Sequence, residues 1–216
     1  MADYLNQKKY FEQAYKTGSD MWTHIPFKLQ GSTLTTRLPA EAMVLDIGAG
    51  RGLWAVKLAE MGYKVIGMDY VKWMVDKQNE EIKPRNLGGK LGFVEGDVLD
   101  ISFEDGSFDA VTDFGLFQHI DPDDFEIYVS EVSRVVKPGG YLLLVELSKH
   151  TTSFLRWNPK ASKENKFDQD GVVYYFFTED EIKNMFSQNF EIVEQKVEYI
   201  PENANVAYVE TLLKRK

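Results

Sequence analysis

Two hydrophobic rhythms run along the chain. Over residues 3–16, Tyr4, Leu5, Phe11, Ala14 and Tyr15 recur at roughly helical intervals around Lys8, which predicts an amphipathic helix. Gly18, Pro26, Gly31 and Pro39 then predict an irregular approach over residues 17–40. From there short apolar runs alternate with longer amphipathic ones. Strands are predicted at 43–47, 64–69, 91–95, 108–113 and 141–146. Helices are predicted at 53–61, 71–82 and 122–136, the last with Asp121 as N-cap, Pro122 at its first position and Pro138-Gly139-Gly140 as its break. Strands separated by helices of this length indicate βαβ units and a parallel sheet. Beyond residue 150 the rhythm changes. Residues 151–173 read as polar and irregular, and Thr178 to Glu181 has capping-box spacing at a helix start. Two strand-like runs, 190–200 and 204–214, are joined by Pro201-Glu202-Asn203 and predict an antiparallel pair.

With 216 residues, 44% of them hydrophobic and 13% aromatic, the chain fills the core of one domain with a small appendage. The formal net charge of -9 disfavours a nucleic-acid partner. The absence of cysteine excludes disulfides, thiolate metal ligands and thiol nucleophiles. The first residues hold no apolar signal region, and no apolar run approaches the ~18 residues of a spanning helix. A cytoplasmic protein with no membrane association is therefore expected.

The densest chemistry lies just after the first strand, in Asp46-Ile47-Gly48-Ala49-Gly50-Arg51-Gly52. Glycine admits positive φ and close approach of a ligand to the backbone, and the following helix start presents unpaired N–H groups. A dinucleotide fingerprint needs a glycine at its sixth position, where Leu53 stands, and no Gly-Lys-Ser/Thr follows for a phosphate loop. Asp46 opposes a pyrophosphate but suits a ligand carrying a cation. S-adenosylmethionine has an amino group and a sulfonium, and its carboxylate suits the helix N–H donors. A tight turn with no ligand is the competing reading.

Val44–Gly52 resembles the first motif of the class I S-adenosylmethionine-dependent methyltransferases. The resemblance continues in order through Lys64–Asp69, Phe93–Val98, Phe108–Asp113 and Arg134–Leu142. It implies a Rossmann-like, doubly wound α/β fold: a seven-stranded, mostly parallel sheet with an antiparallel C-terminal strand pair. It also implies a helical cover over residues 1–40 and a catalytic domain over 41–216. By the resemblance, Asp69 accepts the ribose hydroxyls, Asp97 the adenine amino group, and the Val98 N–H meets a ring nitrogen. Gly48, Ala49 and Gly50 approach the methionine part, Asp46 its amino group, and Tyr70 flanks the ribose acid. Gly52 suits helix-on-strand packing, and Phe114 with Gly115 follows the fourth strand where acceptor and sulfonium meet.

His119, six positions after the fourth strand, is the candidate general base, with a structural role as the alternative. Trp22 resembles the cofactor-covering tryptophan of thiopurine- and tellurite-type methyltransferases, and a packing tryptophan is the alternative. Tyr174-Tyr175-Phe176-Phe177 divides between acceptor pocket and core. Asp121, Asp123 and Asp124 read as capping charges, so no metal site is expected. Cytosine C5 chemistry lacks its cysteine. Asp113-Phe114-Gly115-Leu116 lacks the Asx-Pro-Pro-aromatic sequence of DNA amine methylation, and residues 105–125 lack the glutamate pair of protein-arginine enzymes. The expectation is in-line methyl transfer from S-adenosylmethionine to a small-molecule acceptor. The alternatives are a non-catalytic S-adenosylmethionine-binding regulatory module and a nicotinamide-dependent dehydrogenase.

Overall fold

A computed structural model describes residues 2–20, 33–87, 89–152, 165–169, 171–200 and 203–216. Trp22 lies outside the described residues. Helix α1 spans Leu5–Thr17. Strand β1 (Met43–Ile47), α2 (Leu53–Glu60), β2 (Lys64–Asp69), α3 (Lys72–Ile82), β3 (Leu91–Glu95) and β4 (Phe108–Phe114) follow. Then come α4 (Phe125–Val135), β5 (Val136–Leu147), β6 (Lys166–Gln169), β7 (Val172–Tyr175), α5 (Glu179–Phe186), β8 (Phe190–Ile200) and β9 (Asn203–Arg215).

Seven strands form one sheet in the order β3-β2-β1-β4-β5-β9-β8. β1, β2, β3, β4 and β5 pair in parallel, β9 runs against β5, and β8 runs against β9. This is the doubly wound, Rossmann-like sheet. The strand order reverses between β1 and β4, the place where the carboxyl ends of the strands leave a crevice. The central strands are buried on both faces, so their apolar residues run together without strict alternation, as in Leu142–Val145 of β5. On β4, Val111 faces the core shared with α4 and α5, while Ala110 faces the core shared with α2. Leu142 and Leu143 divide in the same way on β5.

Four sequence expectations change. Residues 122–124 form a separate 3₁₀ turn, capped by Asp121 through the Asp123 N–H, and α4 starts only at Phe125. Buried Asp124 at the junction accepts the Ala2 N–H and the Tyr4 hydroxyl instead of continuing the helix. Strand β5 starts at Val136, ahead of Pro138-Gly139-Gly140, because a register shift opposite Phe108 and Ala110 absorbs these residues. The polar stretch before residue 174 contains the β6–β7 hairpin, whose Phe167, Val172 and Val173 are buried and whose turn holds Gly171 at φ 80°. Finally, Leu5 is 56% exposed and Gln7 takes the buried position on α1. The Gln7 amide is satisfied there, donating to the His119 carbonyl and accepting from the Val173 N–H. The Thr178–Glu181 capping box forms as expected.

Candidate active site

A cleft of about 970 Å³, partly open to solvent, lies at the carboxyl ends of β1, β2 and β4. Its walls include Gly48, Asp69, Tyr70, Asp97, Val98, Phe114 and His119 from the sheet side, and Tyr4, Gln7, Phe11 and Tyr15 from α1. Phe11 and Tyr15 hold α1 in place by packing with Val71 and Met74 around α3 and with Val172 of β7.

The glycine turn is fixed from below. Gly48 has φ 64°, and a Cβ on it would lie 2.6 Å from Leu116 Cδ1. Gly52 has φ 68°, and a Cβ there would lie 2.5 Å from Phe93 Cζ. Both positions are closed to larger residues by conformation and by contact. Gly50 would meet the Tyr15 hydroxyl at 2.8 Å, so α1 crosses directly over the turn. Arg51 ties the end of α1 down, donating to both carboxylate oxygens of buried Asp20 at 2.6 Å and to the Tyr15 carbonyl at 2.9 Å. The N-terminus of α2 has no side-chain cap.

Asp69 ends β2 and is buried at the cleft. One carboxylate oxygen accepts the Gly50 N–H at 2.9 Å and the other accepts the Val71 N–H at 2.8 Å. Burial raises its pKa, and these backbone donors oppose the rise. Each oxygen keeps lone-pair capacity for a hydroxyl donor. The neighbouring Tyr70 hydroxyl is buried and lacks a hydrogen-bond partner of good geometry, although Gln7 lies beside it. Asp97 accepts the Leu99 N–H at 2.9 Å, which presents the 97–99 turn to the cleft. Asp46 sits deeper and does not line the cleft. It accepts the Thr112 hydroxyl at 2.8 Å, and burial pushes its pKa up to about 7.

His119 occupies a 3₁₀ turn after β4. Its Nδ1 lies 2.7 Å from the Val173 carbonyl, which fixes the proton on Nδ1 and leaves Nε2 as an acceptor. Gln118 Oε1 accepts the Leu147 N–H, and this turns Gln118 Nε2 toward His119 Nε2 at 3.3 Å. Burial depresses the imidazole pKa to about 4. The ring is therefore neutral at pH 7 and works as a hydrogen-bond acceptor.

This shift predicts a pH-dependent stability term. Between the folded value of about 4 and the ordinary histidine value of 6.5, the unfolded chain binds the proton and the folded chain does not. Stability should rise with pH across that window. Allowing for solvent reaching the ring through the cleft, the term is about 1–3 kcal/mol. Melting curves of wild type and His119→Gln should converge as the pH falls from 6.5 toward 4. A constant gap would assign the histidine an ordinary pKa.

Of the sequence candidates, Gly48, Asp69, Tyr70, Asp97, Val98, Phe114 and His119 converge on one cleft, while Asp46, Ala49, Gly50 and Gly52 support it from behind. Sequence reasoning missed Gln7, Gln118 and Tyr208, all of which line it. Gln7 carried a weak signal as a polar residue beside the apolar stripe of α1. Gln118 and Tyr208 carried none. Among the described residues no group of His, Cys, Asp and Glu is suited to a metal ion, and no helix is long and apolar enough to cross a membrane.

An α/β sheet with an acid at the end of β2, a second acid after β3 and a glycine turn after β1 defines a nucleoside-binding Rossmann-like protein. Residues 44–140 match the family model described as a methyltransferase domain. The chain is 33% identical over 150 residues to the demethylmenaquinone methyltransferase of Oceanobacillus iheyensis, covering 65% of this chain and 61% of that one. It is 27% identical over 166 residues to the tRNA N(3)-methylcytidine methyltransferase of Schizosaccharomyces pombe, covering 73% of this chain and 54% of that one. The chain thus spans roughly half the length of the curated relatives it matches. The same fold occurs in Burkholderia thailandensis 1,6-didemethyltoxoflavin-N1-methyltransferase, solved with 1,6-didemethyltoxoflavin and S-adenosylhomocysteine. The TM-score is 0.82 and the identity 21%, with 100% of this chain and 92% of that one covered. Together these matches support a class I S-adenosylmethionine-dependent methyltransferase domain over residues 44–140.

Proposed function

We propose that the protein transfers the methyl group of S-adenosylmethionine to a small-molecule acceptor held in this cleft. The observation that carries the reading is the convergence of Asp69, Asp97 and Tyr70 on one partly open, aromatic-lined space. The donor set fits the cofactor. Asp69 and Asp97 offer acceptors to ribose hydroxyls and an adenine amino group, and Gly48 leaves room for backbone approach. The uncapped start of α2 suits a carboxylate, while Asp46, buried under the turn on Thr112, does not reach the cleft. Helix α1 acts as a cover that excludes water from the site.

S-adenosylmethionine supplies a methyl group already activated by its sulfonium, so the protein's task is alignment and exclusion of water. Phe114, Leu116 and Tyr208 shape the acceptor side. His119 Nε2 already faces the Gln118 amide and its low pKa makes it a weak base, so the ring shapes the cleft wall instead of removing a proton.

The relatives' acceptors weigh on both sides. Demethylmenaquinone methyltransferase names a small molecule and the fission-yeast enzyme names tRNA. The -9 charge favours the small molecule, since a polyanion would have to overcome it. Labelled methyl transfer should be measured with quinol and heteroaromatic acceptors and, separately, with bulk tRNA. Incorporation into a small acceptor, with background counts in tRNA, is expected. Label in tRNA alone would overturn the choice of acceptor.

A further inference from the structure

Beneath the floor of the cleft two acids meet. Asp113 of β4 and Glu146 of β5 are both 0% exposed. Asp113 registers with Leu144, so Asp113 and Glu146 project from the same face of the sheet. Asp113 is saturated with donors. Its Oδ1 accepts the Leu116 N–H at 2.7 Å, and its Oδ2 accepts the Phe117 N–H at 3.1 Å and the Tyr128 hydroxyl at 2.6 Å. Glu146 Oε2 accepts the Gln118 N–H at 3.0 Å. Its Oε1 is buried without a donor of good geometry, beside the Asp113 carboxyl, with the Gly115 N–H close to the Glu146 carboxyl.

Two bare carboxylates in this arrangement would repel each other without solvent to relieve them. One proton removes the conflict and gives Oε1 a partner at the same time. We propose that Asp113 and Glu146 share a single proton, carried on Glu146, and that the pair positions the Leu116–His119 turn of the active site. The assignment to Glu146 follows from the donor count, because Asp113 has three donors and needs its full negative charge to receive them. The proposal rests on the functional reading above for its consequence, and on the hydrogen bonds alone for the proton.

The surroundings agree. Tyr128 faces the pair from α4, Tyr208 from β9 and Asp46 from β1, while His119 lines the cleft above. Both tyrosines are raised by burial and stay neutral, His119 is neutral, and Asp46 adds only negative character. Burial raises both acids, and the facing Asp113 charge adds to the rise at Glu146, which lies well above the ordinary range, while hydrogen bonds from Glu146 and Tyr128 hold Asp113 down. Three successive backbone N–H groups, of Leu116, Phe117 and Gln118, therefore rest on an acid pair with one negative charge. Gln118 and His119 take their places in the cleft from that support.

The test uses two neutral isosteres in the full chain. Glu146→Gln still donates to Asp113 through Nε2 and still accepts the Gln118 N–H through Oε1. Asp113→Asn puts an amide N–H against backbone donors. Three readouts separate the possibilities: the infrared carbonyl band of protonated carboxyls at pH 7, S-adenosylhomocysteine affinity, and methyl transfer from neutral to alkaline pH. We expect the wild-type spectrum to contain a protonated-carboxyl band that Glu146→Gln lacks. Wild-type methyl transfer should decline at alkaline pH as the shared proton is lost, whereas Glu146→Gln should show no such decline and should lose less affinity and kcat/KM at neutral pH than Asp113→Asn. Asp113→Asn should lower both by about tenfold or more, the cost of unmatched buried donors. Equal spectra, or equal damage from the two variants, would overturn the proposal. If no methyl transfer is found at all, the infrared band and the difference in melting temperature between the variants still decide the proton, separately from the functional reading.

Discussion

Asp69→Ala is expected to raise the dissociation constant for S-adenosylhomocysteine by about 100-fold or more in a calorimetric titration. Two losses combine. The carboxylate no longer receives the ribose hydroxyls, and charge-assisted hydrogen bonds of this kind are each worth about 1.5–3 kcal/mol. The glycine turn also loses its tether, because the Gly50 and Val71 N–H groups are left without their acceptor. Asp69→Asn separates the two effects. Its single carbonyl oxygen retains one of the backbone bonds, so it should fall between wild type and alanine. Unchanged affinity in Asp69→Ala would remove the ribose assignment, and with it the main residue-level support for where the cofactor sits.

The largest stability effect is expected from Phe117→Ala. Phe117 is 0% exposed, stacked on Tyr128 at 4.1 Å and on Phe177 at 4.8 Å, with Phe125 at 4.7 Å and Phe186 at 5.9 Å. It joins the active-site turn to α4, to α5 and to the segment after β7. Truncation removes the transfer free energy of the ring and leaves a cavity among aromatics that cannot close around it, a loss of about 3–5 kcal/mol. For a chain of this size that corresponds to a fall in Tm of roughly 6–20 °C. Phe117→Leu should cost about half as much. A fall of 2 °C or less on thermal unfolding, about what a typical surface change costs, would show that the cluster is not a cooperative part of the core. Added S-adenosylhomocysteine should recover part of the loss by mass action.

The central fold was legible because parallel strands buried on both faces leave short apolar runs, as in Met43–Leu45 and Leu142–Val145. The cofactor side was legible for a related reason. Glycines and acids at strand ends are local in sequence, and their spacing alone aligns Gly48, Asp69 and Asp97. What was hidden depends on distant pairings. The β6–β7 hairpin has only four residues per strand, and each strand buries part of one face, so its alternation is lost among polar neighbours. Gln7 resembles a surface residue until β7 and the His119 turn supply its partners from 112 and 166 residues away. Glu146 resembles the last residue of a strand, and nothing in its neighbourhood along the chain announces Asp113. His119 was visible as a titratable residue. Its neutral state was not, because that state comes from the Val173 carbonyl and from burial under α1 and β7.

The most direct test of the account is a calorimetric titration of the wild-type chain with S-adenosylhomocysteine, followed by a competing titration with NAD. The account predicts one molecule of S-adenosylhomocysteine per chain, undiminished by NAD. A folded chain that releases no heat with S-adenosylhomocysteine, or that exchanges it for NAD, would contradict the assignment of this cleft.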